Sequence, residues 1–174
     1  MLIRKAEKRD IEGIAAVYSA VHAAEESGAV TIGWKREIYP TRATAEAALG
    51  REDLFVMEEG GAIIGAAIIN QVQVDVYAHA PWQHPAGDEQ ICVLHTLVID
   101  PAVGRKGYGR TFVAFYEDYA RKTGCSFLRM DTNARNANAR ALYQTLGYEE
   151  IAVVPCVFNG LADVNLVLLE KYLP

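Results

Sequence analysis

The sequence predicts an α/β domain in which helices cover both faces of a single sheet. Apolar positions at helical spacing alternate along the chain with short strand-like runs, in the order β-α-α-β-β-β-α-β-α-β-β. An apolar run at residues 93–99 ends in a glycine-containing turn immediately before a helical pattern. No repeat, low-complexity tract or linker divides the chain, so we expect one domain over residues 1–174.

The first predicted elements are a strand and two helices. Residues 2–5 predict the strand, and Asp10 is a suitable N-cap for a helix whose apolar residues recur at helical spacing. This helix is expected to end near Ser27, and the segment that follows has no clear period. Thr41 then caps an alanine-rich second helix that ends near Gly50.

The rest of the chain predicts six more strands and two more helices. Residues 58–61 indicate a hairpin turn, because Gly-Gly follows two acidic residues between apolar runs. The stretch 74–87 has too many prolines and aromatic residues for a hairpin, so we predict an elaborated loop there. The predicted strands are residues 54–57, 62–73, 91–100, 127–131, 151–157 and 164–170, and the predicted helices are residues 107–124 and 136–146.

Composition excludes several function classes. A net charge of −5 with 51% hydrophobic residues is typical of a soluble globular protein and argues against a general nucleic-acid binder. The three cysteines are far apart without metal-ligand spacing, which predicts a reducing, cytoplasmic location and no metal. The N-terminus lacks the apolar run of a signal peptide, and the longest apolar run, residues 62–69, is too short to span a membrane. A homodimer is left open.

The turn that follows the strand at 91–100 predicts an anion-binding site. The next helix points its N-terminus back at the strand end, where unpaired N–H groups and a partial positive charge favour an anion. Glycines in the turn allow close approach of a ligand, and basic side chains add mobile charge. We interpret the turn as a pyrophosphate cradle made of Gly104, Arg105, Lys106, Gly107, Tyr108, Gly109 and Arg110.

This turn also has a plainer interpretation, in which glycine only connects a strand to a helix. Two other phosphate motifs are excluded by the residues themselves. A Walker loop needs Gly-Lys-Ser/Thr, which does not occur, and a dinucleotide fingerprint needs a third glycine where Phe112 stands. A second motif is therefore needed to choose between a cradle and a simple connection.

The second motif is the helical segment at residues 136–148, whose apolar residues share one helix face and whose Gly147 is placed to end the helix. With the glycine turn, it resembles the GNAT superfamily of acyl-CoA-dependent N-acyltransferases, whose signature reads Asn-x-x-Ala-x-x-Leu-Tyr-x-x-x-Gly-Phe/Tyr. The family's phosphate loop, Gln/Arg-x-x-Gly-x-Gly/Ala, is matched at both glycines but not at Gly104. The resemblance covers residues 91–148. The signature is matched at Asn136, Ala139, Leu142, Tyr143, Gly147 and Tyr148.

The resemblance implies a GNAT-like, mixed and mostly antiparallel sheet with a splayed parallel strand pair and helices on both faces. The strands at 91–100 and 127–131 would form that pair, with the pantetheine arm of acetyl-CoA in the gap. Tyr143 would protonate the departing thiolate, although a core tyrosine is the plainer interpretation. Asn136 would hold CoA or the helix start. The remaining donor-binding groups implied are Ala139 and the main chain of Leu97, Val98 and Ile99.

Acetyl transfer to an amine also needs a base, because an ordinary primary ammonium has a pKa of about 10.4. His95 is the first candidate, since it lies on the strand that presents the thioester and titrates near working pH. A half-buried histidine bonded to a neighbour is the competing interpretation. Alternative bases are Glu89 through a water relay, or Glu25 or Glu26 of the first helix. Packing is the expected role of Cys92 and Cys125.

The acceptor is expected to lie against Trp34, Tyr39, Tyr77 and Trp82, which would suit an apolar or aromatic amine. The resemblance therefore implies an acetyl-CoA-dependent N-acetyltransferase that acts on a small-molecule or peptide primary amine by direct attack in a ternary complex. Two rivals stay open: an acyltransferase for longer acyl-CoA donors, and a non-catalytic acyl-CoA sensor on the same fold. A nucleic-acid-binding module would need a basic face that the charge balance does not support.

Overall fold

The computed structural model describes residues 1–103 and 106–174. This part of the chain forms seven strands and four α-helices, joined by loops and short 3-10 turns. The strands are β1 (Leu2–Lys5), β2 (Leu54–Glu59), β3 (Ala62–Asn70), β4 (Ile91–Ile99), β5 (Phe127–Asn133), β6 (Glu149–Phe158) and β7 (Leu161–Tyr172). The helices are α1 (Ile11–Glu26), α2 (Arg42–Gly50), α3 (Tyr108–Lys122) and α4 (Ala137–Thr145).

The strands form one sheet in the order β1-β2-β3-β4-β5-β7-β6. Neighbouring strands are antiparallel except β4 and β5, which run parallel. A parallel pair needs a long crossover connection, which here contains α3. The prediction of a mixed, mostly antiparallel sheet with one parallel pair is confirmed.

The parallel pair is joined only at one end. Its paired residues run from Ile91 opposite Phe127 to Leu94 opposite Met130, and the remainder of β4 has no partner on that side. A register shift between β3 and β4 accompanies Thr96, whose φ of 52° is left-handed and uncommon for a β-branched residue. The bulge at Thr96 lies just beyond the last residue pair that joins β4 to β5, and past this point the two strands splay apart.

Helices α3 and α4 cover one face of the sheet. Phe112 and Tyr116 of α3 are fully buried in a core that includes Cys92 and Leu94 of β4. The Tyr116 hydroxyl donates to the carbonyl oxygen of Cys92 at 2.6 Å, so its burial leaves no unmet hydrogen bond. The aromatic residues at helical spacing in the sequence therefore do form the buried face of α3.

Helices α1 and α2 cover the opposite face. Ile14 and Val17 of α1 and Ala48 of α2 are buried in a second core with Val56 and Ala66 of the sheet. The predicted placement of helices on both faces is confirmed. Of the helices in the described ranges, none is long and apolar enough to cross a bilayer.

Some element boundaries differ from those predicted. β3 ends at Asn70, before the predicted residue 73, because the Asn70 side chain accepts a bond from the Val72 N–H at 2.9 Å and turns the chain. Asp10 occupies the N-cap position of α1 without capping it. Its carboxylate binds Arg4 at 2.6 Å and the N–H of Glu7 at 2.7 Å, so it stabilises the preceding 3-10 turn instead.

Candidate active site

The gap between the splayed strands opens into a cavity of about 590 Å³. Residues of α4 line one side of it, and the other side is lined by the α1–α2 connection, the ends of β4 and β5, and the β6–β7 hairpin. A ligand in the gap would therefore touch groups from both faces of the sheet. The predicted site residues on the cavity wall are Trp34, Tyr39, His95, Leu97, Val98, Ile99, Asn136, Ala139 and Tyr143.

The unpaired edge of β4 supplies main-chain groups to this cavity. Leu97 and Ile99 pack against the α3 core, whereas Val98 packs against the α1 core. Their side chains thus pack alternately into the two cores. The backbone edge of β4 that faces β5 has no strand partner beyond Leu94. Backbone N–H and C=O groups on such an edge can bind the amide groups of an extended ligand.

The start of α3 has the geometry of an anion-binding helix N-terminus. Gly107 is the N-cap residue with a φ of 79°, a left-handed conformation that glycine adopts readily. Thr111 N–H donates to the Gly107 carbonyl at 3.0 Å, so the N–H groups of Tyr108, Gly109 and Arg110 have no partner within the helix. These donors and the helix dipole suit a phosphate group.

The side chains of the cradle are held in different ways. Lys106 lies over the Tyr108 ring, with its Nζ 5.9 Å from the ring centroid, and the Tyr108 hydroxyl donates to the Glu59 carboxylate. Arg110 donates from Nη2 to the Thr145 hydroxyl at 3.1 Å, which links the start of α3 to the end of α4. The two other predicted cradle residues, Gly104 and Arg105, lie outside the described residues.

A carboxylate introduced at Gly109 should weaken CoA binding. A Cβ at this position lies 3.2 Å from Leu142 Cδ2 and next to the unpaired N–H groups, so Gly109→Glu crowds α4 and repels phosphate. We expect calorimetry to show a dissociation constant for CoA raised about ten- to hundredfold. Gly109→Ala controls for crowding alone. Unchanged CoA affinity in a folded Gly109→Glu protein would remove the cradle assignment.

Helix α4 and its N-cap carry three more residues that are predicted to bind the donor: Asn136, Ala139 and Tyr143. The Asn136 side chain accepts from the Ala139 N–H at 3.1 Å, so Asn136 is the N-cap of α4 and its contact with CoA stays a prediction. Tyr143 is 7% exposed, and its ring packs edge-on against Tyr148 with centroids 6.1 Å apart. Burial, with a smaller contribution from the Asp131 carboxyl, raises the pKa of Tyr143, so its phenol stays protonated at neutral pH.

The surroundings of His95 determine its tautomer. His95 Nε2 lies 3.1 Å from both Asn70 Oδ1 and the Val72 carbonyl oxygen. Asn70 Nδ2 donates to Asp53 at 2.8 Å, which directs Asn70 Oδ1 toward His95. Because both neighbours of Nε2 are acceptors, Nε2 carries the proton and Nδ1 keeps its lone pair. Burial lowers the pKa of His95 to about 4, so the ring is neutral at neutral pH.

Asp131 is a cavity residue that sequence reasoning missed. It directly follows Met130, the last residue of β5 that pairs with β4, so it lies where the strands separate. Burial raises the pKa of Asp131 to about 6, although the Tyr77 hydroxyl donates to the carboxylate at 2.7 Å. A carboxyl with such a pKa can accept and release a proton near neutral pH. Alternation along β5, which sets Asp131 on the face opposite to Met130, is the signal that would have found it.

Two of the four aromatic residues predicted for the acceptor line the cavity. Trp34 and Tyr39 both come from the α1–α2 connection, and their rings meet edge-on with centroids 5.8 Å apart. The Tyr39 hydroxyl is hydrogen-bonded to the Thr96 hydroxyl at the bulge of β4. Phe158 and Leu161 of the β6–β7 hairpin, which the sequence analysis does not single out, complete the apolar wall.

The other two aromatic residues, Tyr77 and Trp82, lie away from the cavity wall. Tyr77 is fully buried and reaches the site only through its bond to Asp131. Trp82 stacks over the Arg129 guanidinium, with 4.1 Å between Cζ and the ring centroid, and its Nε1 donates to the Tyr77 carbonyl at 2.9 Å. This pair holds the elaborated loop together, and buried polar partners explain why neither ring is available to an acceptor.

The carboxylates predicted as alternative bases lie away from the cavity wall, and two of them are bonded elsewhere. The Glu25 carboxylate accepts hydrogen bonds from the N–H groups of Ile32 and Gly33 in the α1–α2 connection. Glu26 forms an ion pair with Arg36 at 2.9 Å. Neither of these carboxylates lines the cavity, and neither does Glu89. Among the described residues that line the cavity, His95 and Asp131 are thus the candidates for a proton acceptor.

The cysteines add little chemistry to the site. Cys92 and Cys125 are buried, and burial raises the pKa of Cys92 to about 12, which disfavours its thiolate. Packing therefore accounts for both side chains. Within residues 1–103 and 106–174, no group of three or more His, Cys, Asp or Glu side chains is placed to hold a metal ion.

Known proteins resemble this chain at the level of sequence. A model of the acetyltransferase (GNAT) family matches residues 16–148. The ribosomal protein bS18-alanine N-acetyltransferase of Escherichia coli (strain K12) is 35% identical over 60 residues, which cover 34% of this chain and 40% of that protein. The match thus spans about two fifths of the length of this relative.

Solved structures share the fold. An acetyltransferase of the GNAT family from Streptococcus agalactiae superposes with a TM-score of 0.83 at 19% identity, covering 99% of this chain and 95% of that one. A Salmonella typhimurium protein solved with its cofactor acetyl-CoA gives a TM-score of 0.69 at 21% identity, over 99% and 94% of the two chains. At these identities the similarity establishes the fold alone.

Proposed function

Because this chain belongs to the acetyltransferase (GNAT) family, we propose that it transfers an acetyl group from acetyl-CoA to a primary amine by direct attack in a ternary complex. The observation that carries the proposal is the cavity at the strand gap. It joins a donor side, with an unpaired strand edge and Tyr143, to an acceptor side with aromatic walls and Asp131. Donor and acceptor can therefore meet without a covalent enzyme intermediate.

The residues of the donor side fit acetyl-CoA. The first N–H groups of α3 would hold its pyrophosphate, and the edge of β4 at residues 97–99 would bind the amides of its pantetheine arm. When bound, acetyl-CoA supplies an activated acyl group with a thiolate as leaving group. A main-chain N–H at residues 97–99, fixed before substrate arrives, would stabilise the negative charge that develops on the carbonyl oxygen.

Two side chains are available to remove the proton of the acceptor ammonium. His95 offers its Nδ1 lone pair, but a pKa of about 4 makes it a weak base. Asp131, with a pKa of about 6, is closer to working pH and therefore better matched to the task. We assign the base to Asp131 and retain His95 as the competing candidate.

Tyr143 is assigned as the proton donor to the departing thiolate. Tyr143 lines the cavity from α4 and its raised pKa keeps the phenol protonated, and both observations support this assignment. This assignment also separates the enzyme from the competing acyl-CoA sensor, because a pure sensor needs no proton donor beside the thioester. A longer acyl chain would extend past the thioester toward Trp34 and Tyr39, which line the acceptor side of the cavity and narrow the space there.

An amine-dependent thiol-release assay tests the proposed function. The purified protein is mixed with acetyl-CoA and a panel of primary amines in EDTA, and free CoA is detected by a thiol reagent. We expect release that depends on an amine and initial-rate plots that intersect, as a ternary complex requires. The chelator should have no effect, and the three cysteines fit a reducing, cytoplasmic location. CoA binding with no amine-dependent release would favour the sensor.

A further inference from the structure

We infer that the acceptor is a small primary amine with an apolar body and no carboxylate group. This inference rests on the proposed function, because it concerns the acceptor side of the same cavity. Three features carry it: a roof segment bonded to α1, an apolar wall, and a charge distribution with a single carboxyl that has no charged partner among the described residues.

The roof is the segment of residues 27–41 that connects α1 to α2. Glu25 anchors it by accepting bonds from the N–H groups of Ile32 and Gly33. Gly33 lies so close to β5 that a Cβ there would be 2.4 Å from Asn133 Nδ2. Farther along, His22 Nε2 lies 2.8 Å from the Pro40 carbonyl oxygen. The roof is thus bonded to α1 and packed closely against β5, which narrows the space that an acceptor can occupy beneath it.

The wall beneath the roof is largely apolar. Trp34 and Tyr39 face it from the roof, and Phe158, Leu161 and Val164 face it from the β6–β7 hairpin. An acceptor body with an aromatic ring or branched chain would bury its surface against these side chains. Because burial of apolar area stabilises a complex, a bare short amine would gain little here.

The charges on the wall favour an ammonium group and disfavour a carboxylate. Among the described residues that line the cavity, only Arg51 and Asp131 belong to the strongly ionising types. Arg51 already binds both oxygens of Asp53, at 2.9 and 3.3 Å, so its charge is compensated. The Tyr77 hydroxyl is the one hydrogen-bond partner of the Asp131 carboxylate within residues 1–103 and 106–174. An acceptor carboxylate would therefore be buried beside Asp131 without a free cation, which is costly.

The same features argue against two other amine classes. A polyamine would bury a second ammonium, and the wall offers no second carboxylate with an open partner position. A peptide N-terminus would have to thread its chain past a segment that is bonded to α1 and lies close against β5. A monoamine of limited length meets neither obstacle.

The test compares 2-phenylethylamine with three other acceptors, each of which tests one part of the inference. 2-Phenylethylamine has the inferred character, phenylalanine adds a carboxylate to the same body, ethylamine removes the ring, and an alanine-initiated hexapeptide represents a polypeptide acceptor. We expect kcat/KM for 2-phenylethylamine to exceed that of each of the others by at least about tenfold. A preference for phenylalanine or the peptide, or equal rates for all four, would overturn the inference.

A binding measurement separates this inference from the proposed reaction. Calorimetry of each amine with the protein–CoA complex needs no turnover, so preferential binding of 2-phenylethylamine supports the inference even if no amine is acetylated. Phe158→Ala should weaken that binding about tenfold. Val157→Ala, at the adjacent and 72% exposed position of β6, is the matched control and should leave it unchanged. Equal effects of the two variants would contradict the placement of the acceptor.

Discussion

Tyr143→Phe is expected to lower kcat about a hundredfold while the affinity for acetyl-CoA changes by less than about twofold. The variant keeps the ring that packs against Tyr148 and loses only the hydroxyl at the cavity. General acid catalysis contributes about a hundred- to ten-thousandfold in enzymes. We expect the lower end of that range, because the raised pKa makes this phenol a weaker acid than the thiol it serves.

Steady-state kinetics and calorimetry of the same protein preparation provide the measurement. Tyr148→Phe is the matched control, since the Tyr148 hydroxyl is buried without a hydrogen-bond partner and the residue does not line the cavity. Its kcat should equal that of the wild type. Full turnover by Tyr143→Phe would leave Tyr143 as a packing residue and return the sensor to consideration.

Asp131→Asn is the second change with a large expected effect. It should lower kcat/KM at neutral pH by about a hundredfold or more, because the amide cannot accept the ammonium proton. With a pKa of about 6, wild-type Asp131 is ionised above pH 6 and protonated below it. The ratio of wild-type to variant kcat/KM should therefore fall as pH drops through 6. It should also fall near the pKa of the amine, where the acceptor no longer needs a base.

His95→Gln distinguishes the two candidate bases. If His95 were the base, its pKa of about 4 would keep the advantage of the wild type over His95→Gln constant down to that pH, and the wild-type profile would show no limb near pH 6. Glutamine retains a donor for the Asn70 and Val72 oxygens, so the local packing should survive. A pH–rate profile of Asp131→Asn that overlays the wild type would assign the proton transfer to His95.

Thermal stability separates a catalytic loss from a folding defect. An ionised carboxyl buried beside only a tyrosine hydroxyl disfavours the folded state at neutral pH, as the raised pKa of Asp131 indicates. Asparagine removes that charge and can still accept the Tyr77 bond. The melting temperature of Asp131→Asn at pH 7 should thus equal or exceed that of the wild type, while a lower value would mean that the activity loss is structural.

The parts of the fold that local sequence encodes could be predicted. The helix periods of α1 and α3, the Asn136 cap and the glycine turn before α3 depend on residues that are neighbours in the chain. The family motifs then implied the strand splay. Asp10 shows the limit of this approach, because its cap role was lost to Arg4, a strand residue that only folding brings near.

The acceptor side was harder to predict because its residues meet through long-range contacts. In the sequence Tyr77 and Trp82 resemble binding residues. In the structure the Tyr77 hydroxyl donates to Asp131 and the Trp82 ring stacks on Arg129, both on a strand far along the chain. In the sequence, Asp131 is simply the polar residue at the end of a predicted strand. Its depth and raised pKa follow from the elements that enclose it, none of which is adjacent in sequence.

The short junction between β4 and β5 has a further consequence for how the molecule holds together. Only four residue pairs connect the sheet across this junction, and beyond them the backbone of β4 has an open side. Acetyl-CoA bound along that side would stabilise β4, because the ligand would form the hydrogen bonds that a neighbouring strand provides elsewhere in the sheet. Amide protons of β4 that face this open side would then exchange with solvent directly in the free protein, and only after release of the donor in the complex.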